Sequence, residues 1–211
     1  MFKIKKYQPK KEDKKKETAL DKLRKVQEKS RPASLMTNTA NNVYLVIDMS
    51  ISMEGEKFLL AKSGAMNFSR DAISKGWRVG LVAFHESADM MCELTTNESK
   101  LASAISKLHV RGSTNMSAGL DCATQYLRQE QGRRYIVLVT DGWANDPRDT
   151  QNRGDIAKSE GIEIITLGTP DALEEFLQQL ASSDQLSSIV KDEQLQIGMT
   201  EVAGLLPCHE H

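Results

Sequence analysis

"NNVYLVIDMSISMEGEK", residues 41 to 57, passes from a polar lead-in through an apolar run and then sets Asp48, Ser50 and Ser52 on alternate positions before a helical pattern begins. Three further apolar runs follow, "RVGLVAF" from Arg78, "YIVLVT" from Tyr135 and "IEIITLG" from Ile162. Three of the four are apolar on successive positions, the pattern of parallel strands covered on both faces rather than of strands with one wet side. Amphipathic stretches lie between them. Phe58, Ala61, Ala65, Phe68 and Ala72 step by three and four, as do Met116, Leu120, Ala123 and Leu127, and later Leu195, Met199, Val202 and Leu206. "DALEEFLQQLA", opening at Asp171, reads as one more helix with Leu173, Phe176, Leu177 and Leu180 on its apolar side.

Strands alternating with helices predict an α/β fold: a Rossmann-like, doubly wound, mostly parallel sheet with helices on both faces and right-handed crossovers. "DMMCEL" from Asp89 follows its neighbour too closely for a helical crossover, so it is expected as one antiparallel edge strand. Sheets of this kind bind ligands beyond the carboxyl ends of their strands. What stands there is selective: Asp48, Ser50 and Ser52 after the first strand, Asp141-Gly142 after Thr140, and "RGSTNMSAGL", centred on Thr114, before a helix. These oxygens are expected to converge. Asp48, Ser50, Ser52, Thr114 and Asp141 offer hard oxygen alone, which suits Mg²⁺ or Mn²⁺ and not a zinc-type His/Cys site. Singly, each has an ordinary explanation as a helix cap or a turn. Yet neither serine has Glu or Gln three residues on, so no capping box accounts for the pair.

Together these residues resemble the von Willebrand factor A (vWA) domains, whose metal ion-dependent adhesion site (MIDAS) is written D-x-S-x-S, then T, then D. "VIDMSISM", "GSTNMSAGL" and "IVLVTDG" are similar to the family's three motifs in order and spacing, over roughly residues 41 to 206. Ile51 replaces a frequent Gly, and Gly119 stands where Ala is common. The resemblance implies a divalent cation held directly by Ser50, Ser52 and Thr114, with Asp48 and Asp141 acting directly or through water. It also implies a partner protein that presents an Asp or Glu to the open coordination position, and a last helix that shifts when the metal gains a ligand. Trp143, Asn115 and His85 are expected on the rim of such a site. "WANDPRD" would form a specificity loop.

Binding rather than catalysis is therefore expected, and the chain is read as no enzyme. A lone domain of this type resembles small bacterial adaptors that work with MoxR-type ATPases, kinases or chaperones. A competing reading is a Mg²⁺-dependent phosphotransferase or phosphatase of the haloacid dehalogenase type, with Asp48 as nucleophile. The second Asp of that pattern is missing. His109 and the terminal "CHEH" are read as surface and tail residues.

Charge divides the chain: residues 1 to 34 hold 13 Lys and Arg against 5 Asp and Glu, leaving 15 against 24 for the remainder. Three domains of behaviour are expected, a basic arm over 1-34, partly helical or disordered, the vWA domain over 41-206 and a tail over 207-211. The arm lacks interleaved aromatics, so nucleic-acid binding through it is possible but not favoured. Three cysteines with no CxxC spacing suggest free thiols in a reducing compartment. The N-terminus has no signal-peptide core and no apolar run is long enough for a bilayer, so a cytoplasmic protein without membrane contact is expected.

Overall fold

The computed structural model describes residues 40 to 208. Its six strands are β1 (Asn41–Asp48), β2 (Trp77–Phe84), β3 (Ala88–Thr95), β4 (Arg134–Thr140), β5 (Glu163–Gly168) and β6 (Ser187–Ile189), in the order β3-β2-β1-β4-β5-β6. Only β3 runs antiparallel, paired with β2 at one edge; the other pairings are parallel. The hairpin expected at Asp89 is therefore present.

Helices α1 (Glu56–Ser74), α2 (Glu98–Ser106), α3 (Met116–Leu127), α4 (Pro147–Ser159), α5 (Glu174–Leu180) and α6 (Leu195–Leu205) cover the sheet. Successive strand residues point to opposite faces, and the core divides accordingly. Val43, Leu45 and Ile47 of β1 join Val137 and Val139 of β4 in one cluster with Phe58, Phe68, Leu101, Met199 and Val202, under α1, α2 and α6. Tyr44 and Val46 join Ile136 and Leu138 in the other, with Leu120, Leu127, Leu177 and Leu180, under α3 to α5. Both faces of β1 are thus buried, which is why its sequence does not alternate. Gly80 in the middle of β2 makes room for this packing: a Cβ there would lie 2.0 Å from the Tyr44 ring.

Four elements differ from expectation. α2, α4 and β6 were not legible as elements, and the helix expected from Asp171 begins only at Glu174. Asp146 accepts a bond from the Asp149 amide at 2.9 Å and caps α4, with Pro147 in its first turn. All of "PRD" is therefore helix, and the connecting loop is only Asp141 to Asp146. The three cysteines are free thiols. Among the described residues no helix is long and apolar enough to cross a membrane. The basic arm over 1-34 and the last three residues of the tail lie outside the described residues.

Candidate functional site

β1 feeds α1 on one face of the sheet, whereas β4 feeds α4 on the other. These neighbouring strands form the point where the chain's winding reverses, and the divergence opens a crevice at their carboxyl ends. Asp48 closes β1 and Asp141 follows β4, so the topology alone brings the two carboxylates to this crevice.

The Asp48 carboxylate is fully buried. Its Oδ1 accepts from the Ser50 amide at 2.8 Å and its Oδ2 from the Thr140 hydroxyl at 2.6 Å. Burial raises its pKa from 3.8 to about 6; the Asp141 charge adds to the rise, and the Thr140 and Ser50 bonds oppose it. Beyond Asp48 the polar chain continues. The Ser50 and Ser52 hydroxyls lie 2.9 Å apart, and Ser52 donates to Asp141 Oδ1 at 2.8 Å. Asp141 Oδ2 meets the Lys57 ammonium. Burial acts to lower the Lys57 pKa, but the bond and charge of Asp141 outweigh it and the ammonium is held above its ordinary range.

Neither serine spends its hydroxyl on a helix end. Ser50 opens the short turn Ile51–Met53 without a side-chain cap bond, and α1 is preceded by Gly55. Thr114 enters from a third element. Its amide donates to Asn145 Oδ1 at 3.3 Å, its carbonyl accepts from the Asn145 amide at 3.0 Å, and Asn145 Nδ2 donates to Ser113 at 2.9 Å. The loop after β4 is in this way laced to the loop before α3. A Cβ on Gly142 would lie 3.5 Å from Thr114 Oγ1 and 3.6 Å from Ser52 Oγ. Both hydroxyls therefore border the same space, which glycine leaves clear.

The donor chemistry fits a hard divalent cation. Three neutral hydroxyls and two carboxylates surround the crevice, and a cationic ammonium already rests on Asp141. Among the described residues no group of three or more His, Cys, Asp and Glu side chains could hold a metal, so an ion here would depend on Ser50, Ser52 and Thr114.

The expected rim is placed unevenly. Trp143 is 62 % exposed, with its indole N–H donating to the Asp171 carbonyl at 3.1 Å, and Ile51 is equally exposed. Asn115 is instead a helix cap: its Oδ1 accepts from the Ala118 amide and the Ser117 hydroxyl, and its Nδ2 donates to the Glu86 carbonyl. His85 is buried, its ring nitrogens 2.8 Å from Glu86 and 3.2 Å from Asp89, with Arg111 also on Asp89. It faces these carboxylates rather than open surface. His109 has its Nδ1 3.1 Å from the Lys107 carbonyl.

Sequence reasoning passed over Lys57, Thr140 and Asn145. Lys57 carried a signal, because a cation in the first turn of a helix opposes the helix dipole and needs another reason to be there. Thr140 and Asn145 carried none beyond adjacency to the Asp141 motif.

A family model of the von Willebrand factor type A domain matches residues 42 to 201, and the chain belongs to this family of protein-interaction and adhesion modules. A UPF0353 protein of Mycolicibacterium vanbaalenii is 27 % identical over 184 residues, covering 77 % of this chain and 53 % of that protein. The chain thus spans about half the length of the relatives it matches. Among solved structures, the vWF domain of the type V pili tip protein Mfa5 from Porphyromonas gingivalis superposes with a TM-score of 0.73 at 15 % identity, covering 83 % of this chain and 99 % of that one. Proximal thread matrix protein 1 from the mussel byssus, solved with a zinc-occupied MIDAS motif, gives 0.67 at 21 % identity, covering 84 % of this chain and 50 % of that one.

Proposed function

We propose that this domain is a metal-dependent protein-binding module whose MIDAS comprises Asp48, Ser50, Ser52, Thr114 and Asp141. The observation that carries the reading is the continuous run from Thr140 through Asp48, Ser50 and Ser52 to Asp141, buried at its carboxylates and bordered by the clear space at Gly142. Ser50, Ser52 and Thr114 hold the ion, with Mg²⁺ or Mn²⁺ favoured by the all-oxygen set. Asp48 and Asp141 supply compensating charge and orient the serines. When bound, the ion supplies a positive centre for a carboxylate from outside the chain. Neutral hydroxyl ligands leave that centre with unspent charge, and the partner contributes an Asp or Glu. Trp143 and Ile51, exposed beside the crevice, supply apolar contact around it.

Both Asp48 oxygens are already engaged by Ser50 and Thr140, and the group is enclosed. That supports an orienting role over that of a phosphorylated nucleophile, and a non-enzymatic module over a haloacid dehalogenase-type phosphatase. An adaptor to a MoxR-type ATPase, kinase or chaperone in the cytoplasm remains part of the same proposal.

The test is affinity capture from native lysate with Mg²⁺ or with EDTA, using wild type and Asp48→Ala after circular dichroism shows both folded. Capture of the same partner should be lost with chelator and with the variant. Capture indifferent to both, or Asp48-dependent turnover of a phosphate ester with Mg²⁺, would overturn the reading.

A further inference from the structure

Lys57 is the second residue of α1, where the helix dipole disfavours a positive charge, and yet its ammonium is drawn inward. Its side chain is 14 % exposed and its partner Asp141 is fully enclosed. Asp141 divides its oxygens between two tasks: Oδ1 accepts from Ser52, and Oδ2 takes Lys57. The same ammonium lies 3.8 Å from Asp171, which is 75 % exposed.

A divalent ion held by Ser52 and its neighbours would draw on the Asp141 carboxylate that Lys57 neutralises. Two cations at one carboxylate repel each other strongly at such distances. An enclosed carboxylate with no cation at all is costly too, so one of them is needed at any time. The Lys57 stem has four rotatable methylenes, and the second acceptor is already beside its head group.

Resting on the metal-site reading above, we infer that Lys57 is a tethered counter-cation: it neutralises Asp141 while the site is metal-free and transfers to Asp171 when a divalent ion is taken up. Lys57 thereby sets the affinity threshold of the site. It holds the crevice together without metal and makes the ion compete for Asp141. Asp171 acts as the outer station that lowers the cost of yielding.

The experiment titrates the full chain with Mn²⁺ alone, reading free Mn²⁺ by electron paramagnetic resonance, for wild type, Lys57→Met, Lys57→Gln, Asp171→Asn and the Lys57→Met/Asp171→Asn pair. Thermal unfolding in EDTA is measured beside it. Removing Lys57 should tighten Mn²⁺ binding about three- to tenfold, the scale of a partly enclosed ion pair, and lower the metal-free melting temperature. Asp171→Asn should weaken binding in wild type and have little further effect once Lys57 is gone, because its role passes through Lys57. The glutamine variant should behave as the methionine variant does. Equal or weaker Mn²⁺ binding without Lys57, or an Asp171→Asn effect of the same size in both backgrounds, would overturn the inference alone. If no variant binds Mn²⁺, the metal-site reading falls and this inference with it.

Discussion

Asp48 is a fully buried carboxylate held by two hydrogen bonds and no ion pair among the described residues, so its charge is the least compensated in the crevice. That gives the metal-free protein a pH signature. The folded-state pKa of about 6 exceeds the ordinary 3.8, so between these values the native state binds the proton and the unfolded chain does not. The associated stability is complete below about pH 4 and is lost as pH rises through about 6, a fall of roughly 2 to 3 kcal/mol. Urea unfolding in EDTA from pH 4.5 to 7.5 should show this fall in wild type and a flatter profile in Asp48→Asn, which cannot titrate. Parallel profiles would refute it. Asn145 is a second residue with a measurable share, because its side chain holds the backbone that presents Thr114. Asn145→Ala should weaken Mn²⁺ binding about tenfold, the usual effect of losing an outer-shell partner, while far-UV circular dichroism stays unchanged; undiminished binding would show that Thr114 is placed by something else.

Between elements, α1 and α6 approach each other closely at Gly64. A Cβ at Gly64 would lie 2.6 Å from Met199 Sδ and 3.2 Å from the Gln196 Cα, so both a side chain and a backbone would have to yield. Gly64→Ala gains helix propensity of about 1 kcal/mol but should still destabilise by about 1 to 3 kcal/mol through overpacking. Equal or greater stability in a urea titration would mean that α6 is displaced at little cost. The lower end of α6 is fastened separately, with the Lys75 ammonium on the Ala203 carbonyl at 2.7 Å and the Trp77 indole N–H on the Pro207 carbonyl at 2.8 Å. How much of this was legible follows from what each element buries. α1, α3 and α6 press apolar stripes on the sheet and were readable at their period. α4, "PRDTQNRGDIAKS", buries only Thr150, Gly154 and Ala157, so its inward face has no hydrophobic signature. β6 is three residues long, below the length at which alternation means anything. At the crevice the acidic and hydroxyl residues were readable because their spacing follows the strand ends. The ammonium on Asp141 and the lacing through Asn145 were not, since both join segments about 85 or 30 residues apart and depend on the winding reversal between β1 and β4.

For the whole domain, folding gathers two enclosed carboxylates, only one of them ion-paired, into a crevice of hydroxyls, so an ion bound there binds the native state and not the unfolded chain. Ligation of that kind must appear as stability: at a Mg²⁺ concentration of about 100 times the dissociation constant the gain is about 2.7 kcal/mol. In a domain of this size that corresponds to a rise in melting temperature of roughly 5 to 10 °C. Thermal unfolding followed by circular dichroism, with MgCl₂ against NaCl of equal ionic strength, separates site binding from general screening. Wild type should rise with Mg²⁺ and return to its starting value with EDTA. Asp48→Ala and Asp141→Ala should not respond. The two metal-free variants should differ from each other: Asp48→Ala removes an unpaired enclosed charge, whereas Asp141→Ala leaves the drawn-in Lys57 only the exposed Asp171 and takes the acceptor from Ser52, so the second should melt lower than the first. A Mg²⁺ response that persists in Asp48→Ala would place the ion elsewhere on the protein.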